Sequence, residues 1–144
     1  MADKIEKLND LDLEKVAGGV SGELISSGSF SSSTGTQLNI LVSWSVRSDS
    51  AGQKTLHVDV SSTSYSLYCS GSASGLNLTV NGVTYTSSTP AINYGGKTAV
   101  INKLGSFDVP NVYGAVTITA VWHFNGSYSQ VPIGDIRATG TISV

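Results

Sequence analysis

Val116-Thr117-Ile118-Thr119-Ala120-Val121-Trp122-His123-Phe124 decides the fold. Its even-numbered positions are all apolar, while Thr117, Thr119 and His123 take the other phase, so the stretch has the period of two that buries one face of a strand. Working outward, Asn125-Gly126 is predicted to turn the chain. Ile136, Ala138, Gly140, Ile142 and Val144 then alternate with Arg137, Thr139, Thr141 and Ser143 as a terminal strand. Upstream, Phe107 to Val109 and Thr98 to Ile101 read as weaker strands separated by Gly105. Leu76, Leu78 and Val80 run into Asn81-Gly82, a pair that accepts positive φ at both centres, and Val83 and Tyr85 leave it, so a hairpin is expected there. Leu56, Val58 and Val60 alternate with Thr55, His57, Asp59 and Ser61, with Tyr65, Leu67 and Cys69 as a candidate continuation. Leu38, Ile40, Val42, Trp44 and Val46 alternate with Asn39, Ser43, Ser45 and Arg47.

Seven or eight short strands at roughly ten-residue spacing predict an all-β chain and a two-sheet antiparallel sandwich over residues 37–144. Residues 20–36 read as a tether with one edge strand near Leu24 to Phe30. At 144 residues the chain is long enough for a single domain. Charged residues make up 12% of it, half the usual share, and 24 Ser and 13 Thr supply the polar surface instead. A net charge of −2 excludes a basic nucleic-acid footprint. No apolar run is long enough to span a membrane as a helix. One cysteine, Cys69, permits no internal disulfide.

The first nineteen residues have a different chemistry. Eight of the eighteen charges fall there, and the remaining residues balance five acids with five bases. At 100° per residue, Ile5, Leu8, Leu13 and Val16 fall within an arc of about 140°, which makes a short amphipathic helix. A helix of that length is marginal in water until its apolar stripe is received by a groove. Ala17-Gly18-Gly19 ends it. Charges interrupt every apolar position, so the segment lacks the apolar core of a Sec signal peptide.

The arrangement resembles the double-glycine leader peptides of class II bacteriocins. That family places apolar residues four, seven, twelve and fifteen positions before the cut, where Val16, Leu13, Leu8 and Ile5 stand, with Gly18-Gly19 at the cut and Asp12 where an acid is usual. The resemblance implies a leader over residues 1–19. It implies recognition by the cysteine peptidase domain of a peptidase-containing ABC transporter, cleavage after Gly19, and a secreted product. The competing account is an ordinary amphipathic helix packed on the body with a Gly-Gly cap.

The body also resembles a family. Ser43-Trp44-Ser45-Val46, Ser74-Gly75-Leu76 running to Tyr85, Asn125-Gly126-Ser127-Tyr128-Ser129 and Ile133-Gly134-Asp135-Ile136 occur in the order found in immunoglobulin-like β-sandwich modules of phage tail-tip and minor structural proteins. Two positions depart: Asn111-Val112-Tyr113-Gly114 replaces an Asp-Gly loop, and Gln130 stands where glycine is expected. A tail protein assembles in the cytoplasm and needs no export leader. The two resemblances agree if this is a free-standing module of that fold, made as a precursor.

Few residues offer chemistry. His57 and Asp59 share a strand face, with His123 able to lie across a sheet from them, but no third ligand has metal-binding spacing, so an exposed polar face is expected and no metal or cofactor. Cys69 reads as a small buried residue rather than a nucleophile. Trp44 and Trp122 are in phase with aliphatic residues and read as core. Tyr94, Tyr113 and Tyr128 fall among Gly and Asn in predicted loops, where a ring can stack on a sugar or seat a partner. The sequence therefore reads as a non-enzymatic secreted protein, bacteriocin-like or binding a cell-envelope glycan or surface protein. The alternative is a phage-tail-like or surface-fibre subunit that self-associates through edge strands.

Overall fold

The alternating segments pair with one another as their period requires. A computed structural model describes residues 22–32, 38–62, 69–71, 75–89, 92–94, 103–128 and 130–144. Ten strands occur among them: β1 (Glu23–Ser31), β2 (Ile40–Ser48), β3 (Lys54–Ser62), β4 (Cys69–Gly71), β5 (Gly75–Val80), β6 (Val83–Ser88), β7 (Ile92–Tyr94), β8 (Lys103–Pro110), β9 (Ala115–Tyr128) and β10 (Val131–Ser143). All pairings are antiparallel, and no helix is present among the described residues.

The first sheet has the order β1-β2-β3-β8. In the second, β10 runs along one edge of β9, from Ala115 to Tyr128. The other edge of β9 takes β5 opposite Ile118–Trp122 and β4 opposite Gly126–Tyr128. β6 and β7 flank β5 and β4 in turn. β4 with β5, and β6 with β7, thus behave as two interrupted strands, which reconciles ten segments with an expectation of seven or eight. The predicted tether contains a full edge strand, since β1 pairs with β2 from Glu23 to Ser31.

One core lies between the sheets. Ile40, Val42, Val46, Leu56, Val58 and Val60 face Leu76, Leu78, Ile118, Ala120, Trp122 and Ile136, all 0–1% exposed. Burying each large aliphatic or aromatic side chain is worth about 1.5–3 kcal/mol. Trp122 meets Phe124 edge-on with centroids 5.0 Å apart, and its Nε1–H donates to Thr89 Oγ1 at 3.3 Å. Both tryptophans belong to the core region, Trp44 as a half-buried side chain packed against it. Two glycines let the sheets close at the β1 side. A Cβ on Gly140 of β10 would meet Phe30 Cδ1 at 2.7 Å, and one on Gly28 would meet Trp44 Cζ2 at 2.7 Å.

Three local expectations change. Asn81-Gly82 does turn the β5–β6 hairpin, with φ of 48° and 86°, but Asn125-Gly126 does not turn β9. Instead Asn125, at φ 51°, lies in a bulge opposite Gly134, and the hairpin turns between Tyr128 and Val131, with Gln130 at φ 69°. A left-handed residue serves a bulge as well as a turn, so the dipeptide alone does not tell them apart. Gly105 lies within β8, where a Cβ would meet Leu76 Cδ2 at 2.9 Å, so it is a packing position and not a break. Cys69 begins β4 in the second sheet and does not extend β3. The predicted strand at Thr98 to Ile101 lies outside the described residues.

Candidate functional site

β8 leaves the first sheet at Pro110 and the chain enters the second at Ala115, so residues 111–114 form a corner at one end of the sandwich. Asn111 and Gly114 bracket it with φ of 57° and 69°. Such left-handed conformations suit asparagine and glycine, whose side chains add little clash. Between them Val112 is buried and its N–H donates to Lys54 O at 3.1 Å, while Gly114 O accepts the Val144 N–H at 2.8 Å. Tyr113 lies between these two anchors with its side chain outward, 80% exposed. The ring is therefore presented from a corner pinned on both sides, which lowers the entropy that a ligand must remove.

A groove of about 390 Å³ opens beside that ring. Val80, Val83 and Tyr85 form one wall, and Val109 and Pro110 the other. Asn81, Asn111, Val112, Tyr113 and Ala115 complete the lining. Tyr85 is held by Phe107, with ring centroids 6.5 Å apart. Val83 remains 56% exposed because the hairpin end overhangs the mouth of the sandwich. Asn81 is fixed on β9: its N–H donates to Thr117 O at 3.1 Å and its Oδ1 accepts the Thr117 N–H at 2.9 Å. The groove thus combines aromatic and aliphatic walls with amide groups at its rim, a mixture suited to the faces and hydroxyls of a sugar.

The other two tyrosines lie elsewhere. Tyr94 ends β7 and Tyr128 ends β9, both level with Cys69 on the intervening β4, so they stand on strands and not in the loops predicted for them. The local Gly and Asn that suggested loops are consistent with strand ends and a bulge. Of the three candidates, the structure brings only Tyr113 to the corner groove. Ile5, Leu8, Leu13, Val16, Gly18 and Gly19, with the expected N-terminal helix, lie outside the described residues.

The two histidines occupy the outer faces of different sheets, so His123 does not lie across a sheet from His57 and Asp59. His57 sits between two carboxylates, with Nδ1 at 2.6 Å from Asp108 Oδ1 and Nε2 at 3.0 Å from Asp59 Oδ2. Ser106 Oγ lies 3.5 Å from the same Nε2, but its hydroxyl donates to Asp59 Oδ1 at 2.7 Å. An Asp108–His57–Ser106 relay would need Nε2 free to accept the serine proton. Asp59 occupies that position. The two carboxylates also approach opposite sides of the ring, so they do not converge on one cation. On the second sheet, Asn77 Nδ2 donates to His123 Nε2 at 3.0 Å, which leaves Nδ1–H to donate to Asp135 Oδ1 at 2.9 Å. Among the described residues, no group of three or more His, Cys, Asp or Glu is placed to hold a metal ion.

Sequence reasoning found Tyr113 but not the groove around it. In the sequence Asn81 reads only as a turn residue, and Val83 and Tyr85 only as a strand. The available signal was that Asn81-Gly82 and Asn111 to Gly114 are both turn stretches on neighbouring connections. No protein-family model, curated protein or solved structure matches this chain.

Proposed function

We propose that the protein is a secreted, non-enzymatic binding module, made as a precursor and cleaved after Gly19 by a peptidase-containing ABC transporter. Outside the cell it binds a cell-envelope glycan or acts as a bacteriocin-like effector, using the Tyr113 corner. The observation that carries the binding role is Tyr113 itself: a large ring kept 80% exposed on a corner with backbone anchors on either side. Burying that ring would gain about 1.5–3 kcal/mol, so leaving it in water on an ordered corner suits contact with a partner. The occupied nitrogens of His57 support a non-enzymatic reading. The strand order supports an immunoglobulin-like sandwich. Taking β2, β3, β5, β6, β8, β9 and β10 as A, B, C, C′, E, F and G gives A-B-E facing C′-C-F-G, with β1 as an added edge.

Two measurements test this. Intact mass of the protein in the medium of producing cells is expected to lack residues 1–19, and Gly18→Val with Gly19→Val is expected to block that processing. Unchanged cleavage of this variant refutes the leader. Purified protein is expected to sediment with isolated cell wall, and Tyr113→Ala to lose that binding while melting like wild type. Wall binding unaffected by Tyr113→Ala refutes the corner. A structural subunit that self-associates is the second reading, supported by β1, which among the described residues pairs on one edge only and exposes Leu24 and Ile25. Full-length protein outside the cell, assembled into multimers by sedimentation, favours it.

A further inference from the structure

The outer face of the second sheet carries an ordered set of hydroxyls. Thr84, Thr79, Thr119 and Thr139 stand level with one another on β6, β5, β9 and β10. Thr117 and Thr141 form the next row on β9 and β10. Their hydroxyls pair across strands, Thr79 with Thr84 at 3.0 Å, and Thr119 with Thr139 and Thr117 with Thr141 at 3.3 Å. Strand spacing sets the repeat at about 4.8 Å across the sheet and about 6.7 Å along it. The hydroxyls therefore form a lattice rather than a scatter.

Neither row contains a charged side chain. Arg137 stands level with Val121 in the row next to Thr119 and Thr139, and Asp135 with His123 in the row beyond. A pair of threonines uses one proton between them, which leaves one O–H and several lone pairs directed at whatever lies above. The lattice thus donates and accepts alike. Carbohydrate hydroxyls have the same dual character, whereas an anion only accepts and a cation only donates.

The lattice is continuous with the groove. Asn81 lines the groove and its Oδ1 holds the Thr117 N–H; Ala115 lines the groove and lies in phase with Thr117 and Thr119 along β9. From Ala115 to Thr119 the strand covers about 13 Å. A single sugar ring seated at Tyr113 does not span that distance, but a chain of them does. We infer that the threonine rows are a second subsite, leading out of the Tyr113 groove, for an extended, neutral polysaccharide chain. This rests on the glycan-binding reading, which itself requires only the groove.

The test is calorimetric titration of the full-length protein with a disaccharide and a hexasaccharide of one neutral series, β-1,4-linked N-acetylglucosamine. The hexasaccharide is expected to bind at least about tenfold more tightly, the gain of two or so added hydrogen bonds. Thr119→Val with Thr139→Val keeps the β-branched shape and removes two hydroxyls. It is expected to cost the hexasaccharide about tenfold and to leave the disaccharide unchanged, whereas Tyr113→Ala weakens both. Thr141→Val, at an exposed position, gives an independent measure should the double variant fold poorly. Equal affinity for the two sugars, or a hexasaccharide affinity indifferent to the threonine variants, overturns the second subsite and leaves the groove standing. So does a preference for an anionic hexasaccharide, or a variant whose main effect is to dissociate a multimer. Failure of the wild type to bind either sugar overturns this inference and the glycan reading together.

Discussion

Gly140→Ala tests how the sandwich closes. The added Cβ would stand 2.7, 2.8 and 3.0 Å from Phe30 Cδ1, Cε1 and Cγ, against ordinary carbon contacts of about 3.5–4.0 Å. Because Cγ sits at the root of the ring, rotation alone does not relieve the contact, and Phe30 must retreat by nearly an ångström. Overpacking of this kind costs about 1–3 kcal/mol. Replacing a strand glycine returns about 0.5–1 kcal/mol of conformational entropy, so the net loss centres on about 1 kcal/mol. For a chain of this size that lowers the melting temperature by about 3–8 °C. Urea unfolding followed by the fluorescence of Trp44 and Trp122 reads it directly. Phe30→Leu shortens the side chain facing position 140, so the double variant is expected to be more stable than the sum of the two losses by about 0.5–1 kcal/mol. If the two losses add within about 0.3 kcal/mol, Phe30 is not seated on Gly140, and the packing of β1 over β10 described above is wrong.

Asn81→Ala is expected to destabilise by about 1–2 kcal/mol, since it loses both a residue tolerant of positive φ and the acceptor of the Thr117 N–H; Asn81→Gly, which keeps the turn, is expected to cost less than half as much in the same urea titration. Gln130→Gly is expected to stabilise by about 0.5–1 kcal/mol, because residue 130 sits at φ 69°; a lower unfolding midpoint contradicts that geometry. Tyr113→Ala is expected to change stability by less than about 0.5 kcal/mol, as its ring contributes little to the core, and a larger loss would mean that the ring is packed rather than presented.

The strands of the body were legible wherever one face is buried and the other wet. Val116 to Phe124 and Leu56 to Val60 alternate, Val121 being the one apolar residue in the outer phase, and every apolar residue in the inward phase is buried there. What alternation cannot express is the neighbour. It placed Cys69 after β3 because the phase continued, although chain direction and sheet membership change in between. Nor does a dipeptide report its partner strand: Asn81-Gly82 and Asn125-Gly126 are the same two residues, yet one closes a hairpin and the other sits opposite Gly134 in a bulge. Gln130 had looked out of place where glycine was expected, and its φ of 69° gives the physical reason. At the corner, Tyr113 was visible as an aromatic residue between turn formers. Its groove was not, since Val83 and Tyr85 arrive from a connection some thirty residues earlier, and only the packing of β6 beside β8 brings them there.

Among the described residues β1 pairs along one edge only, with β2, and it precedes the other nine strands. Gly22, whose carbonyl accepts from Arg47 Nη1 at 3.3 Å, is its outermost fastening among the described residues. Traction applied at that end loads the ladder one rung at a time, starting where Glu23 faces Ser48, instead of shearing all rungs together. The strand tears away like a zip, lifting Phe30 from its seat on Gly140 as it goes.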